Sequence, residues 1–375
     1  MNIPRRHSLK LLGLALALGS LALPSFAHDG DDDDGFRSNK VFTSTNAVAG
    51  NELLVYAHEG GTLNLQARLA TQGQGSGTGL GNQGAVTLSG NGRHLFVVNA
   101  LSNTVSTFAV RRNGLTLEST VDSGGLQPIS VTEHEGLVYV LNAAGAGNVA
   151  GFRNHGGSLQ AIAGSARGLS AATGTAPAQV GFSPEGDVLV VTEKATNKLT
   201  SYRVRDDGRI DAPVVTPSAG ATPFGFAFAP RGSLLVSEAF GGGANASAVS
   251  SYGFSPAAPA APIVISASVG TTQTAACWVV VTPNGRHAYT TNTGSGTISR
   301  YGVAKGGQVS LAQGMAAASG PGPIDAAIAA SGRALFVLNA GAHTISSFAI
   351  GKDGSLAGSG SATGLPVGAN GLAAN

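Results

Sequence analysis

The most regular feature of the chain is a short apolar segment that recurs along its length and ends in Asn or Glu. Its seven copies are Val41–Asn46, Leu95–Asn99, Val138–Asn142, Leu189–Glu193, Leu234–Glu238, Ala288–Asn292 and Leu335–Asn339. Successive copies end about 43 to 54 residues apart, a period typical of arrays of small β-sheets. Their β-branched and aromatic residues favour strands, so we interpret each copy as the second strand of a repeat.

The residues between these copies predict the other strands of each repeat. Segments such as 104–110, 198–204, 297–303 and 344–350 alternate apolar with small polar residues, which is the period of a strand. Asn-Gly, Asp-Gly and Glu-Gly pairs, as at Asn91-Gly92 and Asp207-Gly208, mark tight turns between strands. We therefore predict an all-β fold, a seven-bladed β-propeller of four-stranded antiparallel blades. A solenoid is the competing architecture, but it requires capping repeats.

The two ends of the repeat array are complementary. The first repeat, from Lys40 to Ala70, lacks a preceding inner strand, whereas the tail from Leu365 to Ala373 resembles the inner strand at Thr222–Phe228. We predict that the C-terminal strand completes the first blade, which would close the ring and remove an exposed sheet edge. Residues 40–375 would then form a single propeller domain.

Composition excludes several function classes. The formal net charge is +2 and the basic residues are scattered, so no stripe for nucleic acid is expected. The single cysteine, Cys277, cannot form an intrachain disulfide, and the eight His residues show no metal-ligand spacing. No phosphate loop or Gly-x-Ser-x-Gly motif is present. We therefore expect no metal and no cofactor, and we expect a monomer.

The first residues have the features of an export signal. Arg5 and Arg6 precede an apolar run from Leu11 to Leu23, and Ser25 and Ala27 fit a small-residue cleavage site before His28. The stretch resembles a twin-arginine signal, and an ordinary Sec signal is the alternative. We predict a signal peptide at 1–27 and a periplasmic or secreted bacterial protein. Without another apolar run of about 18 residues, no transmembrane segment is expected.

The acidic run Asp31–Asp34 follows the predicted cleavage site. It lacks the alternating ligand spacing of a calcium loop, so we interpret residues 28–39 as an acidic, flexible mature N-terminus.

The residue that ends each second strand suggests where a site could lie, because these positions share one face of the ring. Asn occupies this position in five repeats, which indicates a structural role at turns. Glu193 and Glu238 replace it in two adjacent repeats. Two neighbouring carboxylates at a channel mouth could raise each other's pKa and act as catalytic acid and base. They could instead be solvated loop acids, with Glu193 paired to Lys194.

A second set of candidates lies where the predicted inner strands begin, near the ring axis. We predict substrate-binding roles there for Ser130, Gln179, Trp278 and Asp325, and for Lys194 on the same face. Asp325 interrupts an apolar strand, and it could be a ligand or a hydrogen-bonded structural acid. Trp278 could hold a ring-shaped ligand or serve only in packing.

The repeat from Phe182 to Tyr202 resembles the lactonase-type seven-bladed propellers, a group that includes phosphogluconolactonase-like and carboxymuconate-cyclase-like proteins. The resemblance extends over the chain from Lys40 onward. Glu193 matches a position that is proposed to be catalytic in that family, so the resemblance implies a catalytic role for Glu193. Family enzymes commonly carry a His after the Pro that opens an inner strand, where this chain has Ala178, Phe224 and Ile324.

Two functions follow as expectations. The first is an exported lactonase-like enzyme, a hydrolase or cycloisomerase without a cofactor, that acts on a small lactone-type substrate at the central channel. The second is a non-catalytic periplasmic propeller that binds a protein, a glycan or another ligand on its wide face.

Overall fold

The computed structural model describes residues 40–375, which form 29 β-strands and one short 3-10 turn at Phe240–Gly242. The predicted signal peptide and acidic N-terminus lie outside the described residues. In chain order the strands are β1 (Lys40–Ser44), β2 (Glu52–Glu59), β3 (Thr62–Ala70), β4 (Val86–Leu88), β5 (His94–Asn99), β6 (Thr104–Arg111), β7 (Gly114–Asp122), β8 (Leu126–His134), β9 (Leu137–Ala144), β10 (Asn148–His155), β11 (Ser158–Ala161), β12 (Arg167–Gly168), β13 (Pro177–Phe182), β14 (Val188–Glu193), β15 (Lys198–Arg203), β16 (Val214–Pro217), β17 (Pro223–Phe228), β18 (Leu234–Glu238), β19 (Ala248–Ser255), β20 (Ala258–Gly270), β21 (Ala276–Val281), β22 (His287–Asn292), β23 (Thr297–Val303), β24 (Val309–Ala318), β25 (Pro323–Ile328), β26 (Ala334–Asn339), β27 (Thr344–Ile350), β28 (Leu356–Thr363) and β29 (Asn370–Ala374).

The strands form seven antiparallel sheets, which confirms the predicted seven-bladed propeller. Blade 1 contains β29, β1, β2 and β3 in spatial order, and blade 2 contains β4 to β7. Blade 3 contains β8 to β11, with the short β12 paired to β10. Blades 4, 5, 6 and 7 contain β13–β16, β17–β20, β21–β24 and β25–β28. In every blade the first strand of the spatial order is the inner strand.

The last strand closes the ring, as predicted. β29 pairs antiparallel with β1, with Phe42 opposite Ala373 and Val41 opposite Ala374. The Lys40 N–H donates to Asn375 Oδ1 at 2.6 Å, and the Asn375 N–H donates to Lys40 O at 3.2 Å. The first and last described segments are therefore held in one sheet, and β1 presents no free inner edge.

The core lies between neighbouring blades. One cluster of buried side chains joins Leu54 and Tyr56 of blade 1 to Phe336 and Leu338 of blade 7. The second and third strands supply most of these residues because both of their faces are covered by adjacent blades. The turns follow the sequence pattern, and Gly92 at one of them has a φ of 70°. In such a ring the turns after first and third strands lie on one face. The turns after second strands and the connections between blades lie on the other, which we call the upper face.

None of the helices in the described part of the chain is long and apolar enough to cross a membrane.

Candidate functional site

The connection between blades 1 and 2 crosses the inside of the ring. It runs from residue 71 to residue 85 and is the longest connection between two blades. Its last part, residues 80–84, contacts inner strands of other blades, and we call this part the plug. The Gln83 N–H donates to Ala178 O of blade 4 at 3.1 Å. Gln83 Nε2 donates to Val279 O of blade 6 at 3.0 Å, and the Val279 N–H donates back to Gln83 Oε1 at 3.3 Å.

Further contacts fix the plug at the upper mouth of the channel. Trp278 Nε1 donates to Asn82 O at 2.6 Å, and Asn82 Nδ2 donates to Ile129 O of blade 3. Asn82 and Gln83 are buried. The plug therefore occupies space near the ring axis at the predicted channel mouth, and any ligand at this mouth would lie against it.

Lys194 is a charged side chain that contacts the plug. It follows β14 on the upper face, and its Nζ donates to Gly81 O and, at 3.2 Å, to Pro177 O. Nζ also lies 4.7 Å from the centre of the Phe224 ring. Burial lowers the pKa of Lys194 to about 8, because a charged amine loses hydration there. The side chain is half-buried, so this cation can hold a carbonyl oxygen and still be reached from solvent.

Aromatic side chains line the wall beside Lys194. The Phe224 and Trp278 rings are 5.0 Å apart at an angle of 54°. Phe224 is half-buried, whereas Trp278 is 3% exposed and its indole N–H is already bonded to the plug. Phe224 is thus the ring that a ligand could touch, with Trp278 packed behind it. Burial raises the pKa of the neighbouring Cys277 thiol to about 11, which makes a thiolate nucleophile unfavourable.

Two predicted substrate-binding residues form hydrogen bonds between neighbouring inner strands. Ser130 Oγ accepts from the Val180 N–H at 3.2 Å, which joins blades 3 and 4. Gln179 Oε1 accepts from the Phe226 N–H at 2.6 Å and its Nε2 donates to Phe226 O at 3.0 Å, which joins blades 4 and 5. Their polar atoms therefore have protein partners, which a substrate would have to replace.

Asp325 lies at the junction of blades 7 and 1. It is 2% exposed, and its Oδ1 accepts from the Ala326 N–H at 2.8 Å. Burial raises its pKa well above the usual range, although the backbone N–H groups of Ala326 and Leu372 oppose this rise. The folded protein therefore favours the protonated form of this carboxyl. Its position matches the structural alternative, a hydrogen-bonded acid in an inner strand.

The Glu193 side chain is fully buried and surrounded by donors. Its oxygens accept from the Ser170 N–H at 2.9 Å, from Thr196 Oγ1 at 2.7 Å, from Thr200 Oγ1 at 2.6 Å and from Ser170 Oγ. Lys194 bonds to carbonyl oxygens and forms no ion pair with Glu193 within residues 40–375. The carboxylate thus joins the β14–β15 turn to the connection that precedes blade 4.

Glu238 has the same kind of environment in blade 5. It is fully buried, and its oxygens accept from the Gly220 N–H at 2.8 Å, from Ser250 Oγ at 2.5 Å and from Ser268 Oγ at 2.7 Å. Burial raises the pKa of Glu238, and these hydrogen bonds oppose the rise. The two glutamates share no hydrogen-bond partner. The catalytic pairing of Glu193 and Glu238 remains a prediction, and neither side chain has an exposed surface for a substrate.

A sequence pattern shared by several repeats explains the environment of Glu193. In several repeats a hydroxyl residue follows the end of the second strand by seven positions and bonds to it, as in Asn99–Ser106 at 2.8 Å and Asn339–Ser346 at 2.9 Å. Glu193–Thr200 repeats this spacing with an acid in place of Asn. Two features of the sequence could have indicated the plug. They are the length of the connection at 71–85 and the two adjacent amide side chains in it, Asn82 and Gln83.

No group of three or more His, Cys, Asp or Glu side chains within residues 40–375 is arranged to hold a metal ion. The groups that the structure places at the channel mouth are an amine, an aromatic wall and backbone carbonyl groups.

Solved structures with the same fold include lactonase-like proteins. A candidate 6-phosphogluconolactonase from Bacteroides uniformis superimposes with a TM-score of 0.69 at 17% identity, covering 89% of this chain and 98% of that chain. The periplasmic gluconolactonase of Pseudomonas aeruginosa gives a TM-score of 0.67 at 17% identity, covering 89% and 98%. A hypothetical selenium-binding protein from Sulfolobus tokodaii gives 0.65 at 9% identity, covering 90% and 93%. Such low identities establish a shared fold.

No match is found among curated protein sequences. A sequence model of one family does match, described as lactonase, 7-bladed beta-propeller, over residues 146–252 and 259–368. These segments make up more than half of the chain and contain Glu193, Lys194, Phe224 and Trp278. The chain therefore belongs to the lactonase family of seven-bladed β-propellers.

Proposed function

We propose that this protein is an exported lactonase that hydrolyses a small lactone at the upper mouth of the central channel. One observation carries the proposal: the half-buried amine of Lys194 already donates hydrogen bonds to two carbonyl oxygens, those of Gly81 and Pro177. Family membership supports ester-type chemistry on a cyclic substrate. The predicted signal peptide supports a site of action outside the cytoplasm.

In this proposal the lactone carbonyl oxygen takes the place of Gly81 O at Lys194 Nζ. Water adds to the carbonyl carbon, and the negative charge that develops on the oxygen is stabilised by the ammonium group. The ring C–O bond then breaks, the ring oxygen takes up the proton that the added water loses, and a hydroxy acid leaves. Phe224 provides an apolar surface for the carbon atoms of the lactone ring.

Glu193 acts in this scheme as a positioning residue. Its carboxylate binds Ser170 and Thr200 and so fixes the turn that carries Lys194. Glu238 has the equivalent structural position one blade away. We therefore expect Glu193→Gln to change turnover through the placement of Lys194, and Glu238→Gln to change it less.

The test is a pH-stat assay of the mature chain, residues 28–375, against a panel of γ- and δ-lactones. We expect Lys194→Gln to lower kcat/KM by about 100-fold, in the range found when a group that stabilises an oxyanion is removed. Lys352→Gln, which changes an exposed lysine in a turn of blade 7, is the matched control and should retain activity within about twofold.

The pH profile adds a second criterion. The ammonium form of Lys194 carries the proposed role, so the enzymatic kcat/KM should be highest below the pKa of about 8 and should fall as pH rises through it. Equal activity of Lys194→Gln and wild type, or an enzymatic rate that increases through pH 8, would refute the role of Lys194.

A non-catalytic binding protein is the second candidate. It is favoured by the burial of both Glu193 and Glu238 and by the plug at the channel mouth. If no lactone of the panel is hydrolysed faster than in buffer, this second function is the better explanation.

A further inference from the structure

A cavity lies on the face opposite the proposed lactonase site. Its volume is about 520 Å³, within the range of ligand-binding clefts. It is formed by turns after first strands in blades 4 and 5 and by turns after third strands in blades 5 and 6. The argument below concerns six of its lining residues: Glu185, Asp187, Arg231, Phe254, Ile265 and Lys305.

Two cations without partners among the described residues border this cleft. Arg231 and Lys305 are both exposed and also line a smaller adjoining cavity of about 90 Å³. Neither forms an ion pair or a side-chain hydrogen bond within residues 40–375. Arg209, in a nearby turn, does have such a partner, since its Nε lies 2.8 Å from Asp207 Oδ2. Two unpaired cations at the boundary of two cavities provide a site for an anionic group.

The rest of the cleft offers acceptors and an apolar wall. Glu185 is exposed and makes no side-chain hydrogen bond within the described residues, and Asp187 Oδ1 accepts from Ser183 Oγ at 2.7 Å. Phe254 and Ile265 are half-buried and line the same cavity. Carboxylates accept hydrogen bonds from hydroxyl groups, and an aromatic ring packs against C–H groups.

We propose that this cleft binds an acidic oligosaccharide. A uronic-acid carboxylate would bind Arg231 and Lys305, sugar hydroxyls would donate to Glu185 and Asp187, and the apolar face of a sugar ring would pack on Phe254. The cavity is larger than one sugar residue needs, so the ligand spans two or three residues. This site is separate from the proposed lactonase site and does not depend on lactonase activity.

The experiment is isothermal titration calorimetry of the mature chain with trigalacturonate at low ionic strength. Maltotriose is the neutral ligand of the same length. Wild type should bind trigalacturonate and should not bind maltotriose measurably. Arg231→Gln and Lys305→Gln should each weaken binding of trigalacturonate at least tenfold. Arg333→Gln, in the corresponding turn of blade 7, should bind within about twofold of wild type.

Salt and activity controls separate the possible outcomes. Raising the salt to about 0.5 M should weaken trigalacturonate binding, because exposed charge pairs are screened. Lactone turnover should be unchanged in Arg231→Gln and Lys305→Gln. The proposal is overturned if trigalacturonate does not bind wild type, if both variants bind it as wild type does, or if maltotriose binds equally well.

Discussion

The Gln83 side chain should contribute strongly to stability, although it lies in a glycine-rich connection. Its amide exchanges two hydrogen bonds with the backbone of Val279, on the inner edge of blade 6. Val279 is fully buried, so truncation of Gln83 would leave its N–H and C=O without partners on that side. Each unsatisfied buried group costs about 1–3 kcal/mol, so Gln83→Ala should lower the free energy of unfolding by about 2–5 kcal/mol.

Urea unfolding followed by tryptophan fluorescence can measure this loss, because Trp278 itself bonds to the plug. For a slope of about 3 kcal/mol/M, the midpoint should fall by about 1 M. Gln83→Met keeps most of the side-chain volume and should lose nearly as much, which identifies the hydrogen bonds as the cause. Gln308→Ala, at an exposed position, should stay within about 0.5 kcal/mol of wild type. A midpoint for Gln83→Ala equal to that of wild type would show that the plug contacts do not hold the ring together.

Three further predictions follow from the same geometry. Burial raises the pKa of Asp325 well above its usual range, so the folded state binds more protons than the unfolded state and stability falls as pH rises above about 4. Asp325→Asn should therefore unfold at higher urea than wild type at pH 7, and the difference should disappear near pH 3. The pKa of Lys194 is lowered from 10.5 to about 8, so above pH 8 the unfolded chain binds more protons than the folded protein. Wild type should therefore gain stability between about pH 7.5 and 9, and Lys194→Met should not. The same pH dependence of stability in both proteins would contradict the burial of this amine. Deletion of residues 370–375 removes β29 and exposes the edge of β1. Size-exclusion chromatography of this variant should show oligomers or aggregates. A monomer with unchanged urea stability would argue against closure of the ring by this strand.

Several features of this protein can be predicted from short stretches of its chain. The alternation in segments such as Thr104–Val110, and turns such as Asn91-Gly92, depend on side-chain direction and backbone dihedral preferences within a few residues. Repetition of these local signals seven times predicts the blade, and the complementary ends predict the closure of the ring. Local preferences that agree with one another along a repeat leave few other architectures available.

The candidate site is different because it depends on residues that are distant in the chain. Gln83 and Val279 are 196 positions apart, and Lys194 and Gly81 are 113 positions apart. Neither contact has a signature in the local pattern. Both arise only when the ring closes and brings the inner strands of blades 4 and 6 around one connection.

Glu193 shows which features of a residue can be predicted from the chain and which depend on the folded structure. Its place at the end of a second strand, and a hydroxyl seven residues later, can be found by inspection of the chain. Whether its carboxylate would face a channel or be enclosed depends on Ser170, which the preceding connection brings against it. The chain pattern thus determined the blades and their order, whereas the packing of connections against them decided which polar groups are exposed. The physical reason is that dihedral preferences and side-chain alternation act over a few residues, while burial depends on segments from several blades meeting in space.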